Sequence, residues 1–199
     1  MNKGKKGMLK RGFMRGQISS ILTIALFAIL VGISIFSLTY KSKTNTVTLI
    51  DNDLRVLVDI FNRIDKDCKI LNFDYTQNRI NFLNVKSFAG SEVGAVNLAY
   101  PEHWQGPYVT DNPNIQGEEY LIVVTSKGYF ITPGTGVRLP NDLVVGRDIV
   151  LNKEADIEAM IKPGGPLNYN GTPLAAKLNV GANIYEQAIR EHYLTLDED

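Results

Sequence analysis

The chain opens on a polar, basic stub and then runs from Gly16 to Tyr40, 25 residues, without one charged side chain. At about 1.5 Å of rise per residue, a helix of that length spans roughly 37 Å, enough to cross a bilayer core with some tilt. Ser19, Ser20, Thr23, Ser34 and Ser37 interrupt the apolar run. They are tolerable because a hydroxyl can bond back to the helix's own carbonyls. The run is too long for the apolar part of a cleaved secretory signal, and no small-x-small site precedes a polar mature start. It predicts a basic leader over 1–17 and a transmembrane helix over 18–40.

The apolar period then changes. Ile50, Leu54, Leu57, Phe61, Ile64 and Cys68 are spaced 4, 3, 4, 3 and 4 residues apart, one stripe on a helix. Asp51, Asp53, Asp59, Arg63, Asp65 and Lys66 fill much of the remaining surface. With no Pro or Gly between Ser34 and Cys68, this amphipathic helix over 41–70 can continue the membrane helix, about 75 Å from Ile18 to Cys68 if unbroken. "KSKTNT" is polar and β-branched, and a break there is the alternative. The stripe covers fewer than three heptads, which favours packing on the protein's own sheet over a free coiled coil.

Residues 71–199 form the head. The stretch from Asn72 to Gly117, rich in Asn, Gly and Pro, reads as loops with one short strand near Ile80–Val85. "EEYLIVVTS", "SKG" and "YFITPG" predict a hairpin over 119–132, and "LVVGRDIVL" a further strand. "KEADIEAMIK" is a short amphipathic helix stopped by "PGGP", "NYNGTPL" is a turn, and "ANIYEQAIREHYL" reads as another helix. A long helix followed by strands and then short helices predicts an α+β fold: a long N-terminal helix, membrane-spanning then amphipathic, packed on a small antiparallel sheet.

Charge sets the orientation. The net charge is zero, yet residues 1–40 hold six Lys/Arg and no acid, while residues 41–199 hold fifteen Lys/Arg against all twenty-one Asp/Glu. The basic residues ahead of the helix put the N-terminus in the cytoplasm and the head outside. An acidic head repels phosphates, so no nucleic-acid partner is expected. Cys68 is the only cysteine and His103 and His192 the only histidines, which leaves no disulfide and no Cys-based metal cluster. The Gly-rich "PGTGVRLP" and "IKPGGPLN" lack the Lys-Ser/Thr of a phosphate loop. His103 reads as a loop residue, His192 as a solvated helix residue, and Asp65 and Asp67 do not share a helix face. Trp104 and Tyr108 read as aromatics packing their own loop, and Cys68 as a buried, inert thiol. Asn170-Gly171-Thr172 fits a glycosylation sequon, meaningful in a eukaryotic secretory setting. No catalytic motif and no cofactor site appear.

The order of a basic stub, a membrane helix running into an amphipathic helix, and a small β head resembles the type IV pilin-like family. Within it the closest likeness is to the major pseudopilin of type II secretion systems. "DIFNRIDKDCKILNFDY" leads to "HWQGPYV", where that family has a periplasmic helix followed by "W-x-GPY"; "GYFITPGTG" stands in place of its Gly/Tyr-rich hairpin and "PG" turn. The likeness covers residues 10–150. It implies a structural subunit of a membrane-anchored filament or secretion apparatus, held in the inner membrane and associating through its N-terminal helices with copies of itself or other pilin-like subunits. It also implies that Gly12 and Phe13 form the junction cut by a prepilin peptidase. Gln17 stands where the family carries a glutamate that pairs with a neighbour's amine and sets register; lacking charge, it would pair more weakly. Met14, Arg15 and Gly16 replace the family's apolar residues before it. Ala25, Ala28 and Gly32, at spacings of three and four, give a small-residue face for close helix contact. The family's calcium loop has no counterpart, and Asp142 and Asp148 read as solvated turn residues. The alternative is an uncleaved single-pass membrane protein with an extracytoplasmic binding domain.

Overall fold

The computed structural model describes residues 8–181, with side chains from residue 22 onward. The helix expected over 182–194 lies outside the described residues. The chain divides into two units, Met1–Asn45 and Thr46–Asp199. Helix α1 (Met8–Cys68) is continuous for 61 residues. "KSKTNT" stays helical. Polar and β-branched residues cost a helix only about 0.7 kcal/mol or less each, and no Pro or Gly is present to break it.

In the second unit the predicted stripe is the buried one. Ile50, Leu57, Phe61, Ile64 and Cys68 are fully buried and Leu54 nearly so. Helix α1 ends where Lys69 turns left-handed (φ 56°) and its N–H bonds Asp65 O at 3.0 Å. The chain then enters β1 (Ile70–Phe73) and β2 (Gln77–Arg79). Next come β3 (Glu92–Val93), β4 (Val96–Leu98), β5 (Asn114–Ile115) and β6 (Glu118–Glu119). The longest strands are β7 (Leu121–Thr125) and β8 (Gly128–Thr132). Helix α2 (Ile157–Met160), β9 (Asn168–Tyr169), β10 (Thr172–Pro173) and β11 (Ala176–Leu178) complete the fold.

Two antiparallel sheets carry the core. One has the order β1-β4-β3; the other has the order β11-β8-β7-β2. The hairpins β5-β6 and β9-β10 stand apart from both. The α+β expectation holds. Phe61 packs edge-on against Phe73 (6.3 Å between ring centres) and Phe82 (6.0 Å), and Phe73 continues to Tyr129 at 5.0 Å. One aromatic chain thus joins α1, β1 and β8.

The predicted hairpin over 119–132 is β7-β8, in register from Leu121↔Thr132 to Thr125↔Gly128. Its tight connection is held by Thr125, whose Oγ accepts from the Lys127 N–H at 3.1 Å and donates to Gly128 O at 3.0 Å. "NYNGTPL" is the β9-β10 hairpin, and Asn170 (φ 50°) and Gly171 (φ 86°) make the left-handed pair that a two-residue turn requires.

Three local expectations are corrected. Ile80–Val85 is a 3₁₀ turn (Asn81–Asn84), not a strand. Phe82 and Leu83 are both buried, whereas a half-buried strand would send neighbours to opposite faces. "LVVGRDIVL" forms only isolated bridges, Arg138↔Val144 and Val145↔Ile149. Asp148 captures the Val144 N–H at 2.8 Å, and Gly146 (φ 83°) turns the chain back on itself. The short helix expected in "KEADIEAMIK" is present as α2, a single turn that Asp156 caps by accepting from Ala159 N–H at 3.1 Å and after which Gly165 N–H closes onto Lys162 O at 2.8 Å. Strands β1, β3 and β4 lie in or beside a stretch the apolar pattern left as loop; at two to four residues they are too short to show alternation.

Polar bonds fix α1 against the sheets. The fully buried Tyr120 donates its hydroxyl to Asp53 Oδ2 at 2.9 Å. Asp65 Oδ1 accepts from Ile70 N–H at 3.0 Å and Gly181 N–H at 3.4 Å. Burial, reinforced by the hydrogen bond and charge of Asp53, pushes the Tyr120 hydroxyl well above the ordinary tyrosine range.

Two outcomes are expected for the full chain in detergent micelles. Phe61→Ala lowers unfolding stability by about 3–5 kcal/mol in a denaturant titration, while Leu49→Ala, at an exposed position, changes it by about 0.5 kcal/mol or less. The raised Tyr120 hydroxyl keeps its proton in the folded state, so its contribution is complete below about pH 10 and is lost as pH rises beyond that. Titrations from about pH 10 to 12 should show falling stability, with a shallower fall in Tyr120→Phe.

Candidate functional site

Among the described residues, one helix is long and apolar enough to cross a membrane, and it is α1. Its large apolar side chains from Leu22 to Tyr40 are 40–74% exposed on every face. Water is a poor solvent for such a surface, and lipid or like helices are good ones. Three hydroxyls in and just past this stretch are satisfied locally. Ser34 Oγ donates to Leu30 O at 2.8 Å, Thr39 Oγ to Ile35 O at 2.9 Å and Thr44 Oγ to Tyr40 O at 3.0 Å.

Ala25, Ala28 and Gly32 are exposed on this part of α1, and a Cβ added at Gly32 would meet nothing within 4 Å. Gly12, Phe13 and Gln17 fall within the first turns of α1, and their side chains lie outside the described residues.

The "W-x-GPY" segment is a brace. Trp104 donates its indole N–H to Val85 O at 3.0 Å and packs edge-on against Phe88 (5.3 Å) and Tyr108 (4.8 Å). Gly106 is pressed so closely into this corner that a Cβ would lie 2.2 Å from Val85 O and 2.4 Å from Trp104 Nε1. The Gly106–Pro107 peptide is cis. Cys68 is buried, as expected. Burial pushes the Cys68 thiol up, helped by the charges of Asp67 and Glu102 and opposed by the Tyr108 hydroxyl. Such a thiol is a poor nucleophile.

The remaining polar candidates stay apart. His103 is exposed, stacked on Tyr100 at 5.7 Å, with Nδ1 2.9 Å from Asp67 O. Exposed Arg147 pairs with Asp148 at 2.8 Å and holds its carboxyl below the usual range. Among the described residues, no three His, Cys, Asp or Glu side chains come together as metal ligands would. One polar cavity of about 380 Å³, missed by the sequence reading, lies between Gln77, Arg79, Glu118 and Glu119. Glu119 Oε2 is buried without a hydrogen-bond partner. No motif signals this cavity, because β2 and β6 are brought together only by the fold.

Gly106→Ala should lower the unfolding midpoint, at a cost of about 1–3 kcal/mol, and red-shift the emission of Trp104, the sole tryptophan. Unchanged emission and midpoint would show that the corner yields freely.

Comparison with family models, with curated proteins and with solved structures finds no match to this chain.

Proposed function

We propose that the chain is a structural subunit of the pilin-like, pseudopilin-like kind, anchored in the inner membrane with its N-terminus in the cytoplasm and its head outside. The observation that carries this reading is the single 61-residue helix: apolar and exposed on all sides from Leu22 to Tyr40, amphipathic and buried in a small antiparallel head from Ile50 onward. A helix so divided holds a monomer in lipid while leaving its apolar half free for neighbours. Exchanging lipid for like helices leaves the hydrophobic term almost unchanged, so association rests on close packing, for which Ala25, Ala28 and Gly32 make room. The acidic heads would face water around such a bundle. In this reading a prepilin peptidase cuts between Gly12 and Phe13, Gln17 takes part in setting register, and no catalysis or cofactor is involved.

The polar cavity beside Arg79 and Glu119 favours a second reading, an uncleaved single-pass protein whose head binds a ligand.

Intact-mass measurement on protein made with a prepilin peptidase separates the two. A mature chain beginning at Phe13 supports the subunit reading. A chain that retains Met1 overturns processing and leaves the second reading standing.

A further inference from the structure

The polar cavity of about 380 Å³ in the head is lined by groups of both charges: Arg79 on β2, and Glu118 and Glu119 on β6. Its size suits a small molecule. Among the described residues none of the three makes an ion pair, so opposite charges share one cavity without neutralising one another. Glu119 Oε2 is also buried with no hydrogen-bond partner. A carboxylate oxygen that has lost water and gained no donor is costly. The carboxyl torsion is soft, so a donor placed in the cavity can meet either oxygen.

The walls are held in place. Gln77, also on β2, donates its side-chain amide to Leu151 O. The β5-β6 turn is tied down by Gln116, whose side chain donates to Arg138 O at 2.8 Å and accepts from Arg138 N–H at 3.0 Å. Tyr120, next to Glu119, is fully buried and bonded to Asp53 on α1. The segment after β8 runs against both glutamates. A Cβ at Gly134 would lie 2.2 Å from Glu119 O, and one at Gly136 would lie 3.7 Å from Glu118 Oε1. Groups held in this way lose little freedom when a ligand enters.

The charges select the ligand. Two carboxylates and one guanidinium call for two cations and one carboxylate on the same small molecule. We propose that this cavity binds a free basic amino acid, of the lysine, ornithine or arginine class. Its carboxylate meets the Arg79 guanidinium, which takes such a group through two parallel N–H bonds, and its two cationic ends meet Glu118 and Glu119. A neutral or acidic amino acid leaves a glutamate unpaired. So does a peptide, in which the α-amine or the carboxylate is blocked. The inference rests on the second reading above, a head that binds a ligand, and names the ligand's class.

The test titrates L-lysine into the full chain in detergent micelles by calorimetry. Saturable binding is expected below about 10 mM. Glu118→Gln and Glu119→Gln should each weaken it about tenfold or more. Arg79→Gln should weaken L-lysine as much, yet leave cadaverine, the diamine that lacks the carboxylate, unchanged. Arg79 and Glu118 are exposed, so these two variants keep the fold. Nα-acetyl-lysine and L-glutamate should bind about tenfold or more weaker than L-lysine. No saturation with L-lysine, or unchanged affinity in Glu118→Gln or Arg79→Gln, overturns the assignment. If L-glutamate binds instead, and does so through Arg79, the ligand class falls while the second reading stands. If no member of the panel binds, both fall together.

Discussion

The head depends on one burial event, the covering of the α1 stripe from Ile50 to Cys68. A helix cannot hide an apolar stripe from water alone, and strands of two to five residues cannot stand alone either. Each supplies what the other lacks. A buried Leu, Ile or Phe contributes about 1.5–3 kcal/mol relative to exposure, so the stripe is a large term in the head's stability. Phe61 sits at its centre, meeting Phe73 and Phe82 edge-on. Through Phe73 the contact passes to Tyr129, so both sheets are joined to one helix by a single row of rings.

Apolar contact alone is non-directional, and polar bonds supply the register. Tyr120 to Asp53 fixes the start of the buried stretch; Asp65, holding the N–H groups of Ile70 and Gly181, fixes its end. Both carboxylates lie on the helix and both sets of donors lie in the sheet region. Sliding α1 by one turn would strand buried polar groups, at a cost of about 1–3 kcal/mol each. The "W-x-GPY" corner extends the same logic: Trp104 donates to Val85 O, and its ring and that of Tyr108 clamp the loop. Trp104 and Tyr108 thus pack their own loop, as the sequence predicts.

The other part of α1 obeys a different solvent. From Leu22 to Tyr40 apolar side chains face outward on all sides, and Ser34 and Thr39 return their hydroxyls to the helix. That surface and the acidic head explain why a net charge of zero says little about this chain. Its two parts are built for different surroundings.

The sequence by itself determined the helix in both its parts. Periodicity at 3.6 residues and the lack of Pro or Gly between Ser34 and Cys68 are local properties, and every residue of the predicted stripe is buried. It also determined the β7-β8 hairpin, because β-branched runs on either side of a tight turn leave few alternatives. Only the tertiary structure decided what lies between and after them. Ile80–Val85 became a 3₁₀ turn because Phe82 and Leu83 both had to reach the core, and "LVVGRDIVL" lost its ladder because Asp148 took the Val144 N–H. The cavity at Arg79 and Glu119 was equally illegible. It joins residues 40 or more positions apart, and no local pattern encodes which distant strand a short edge will meet.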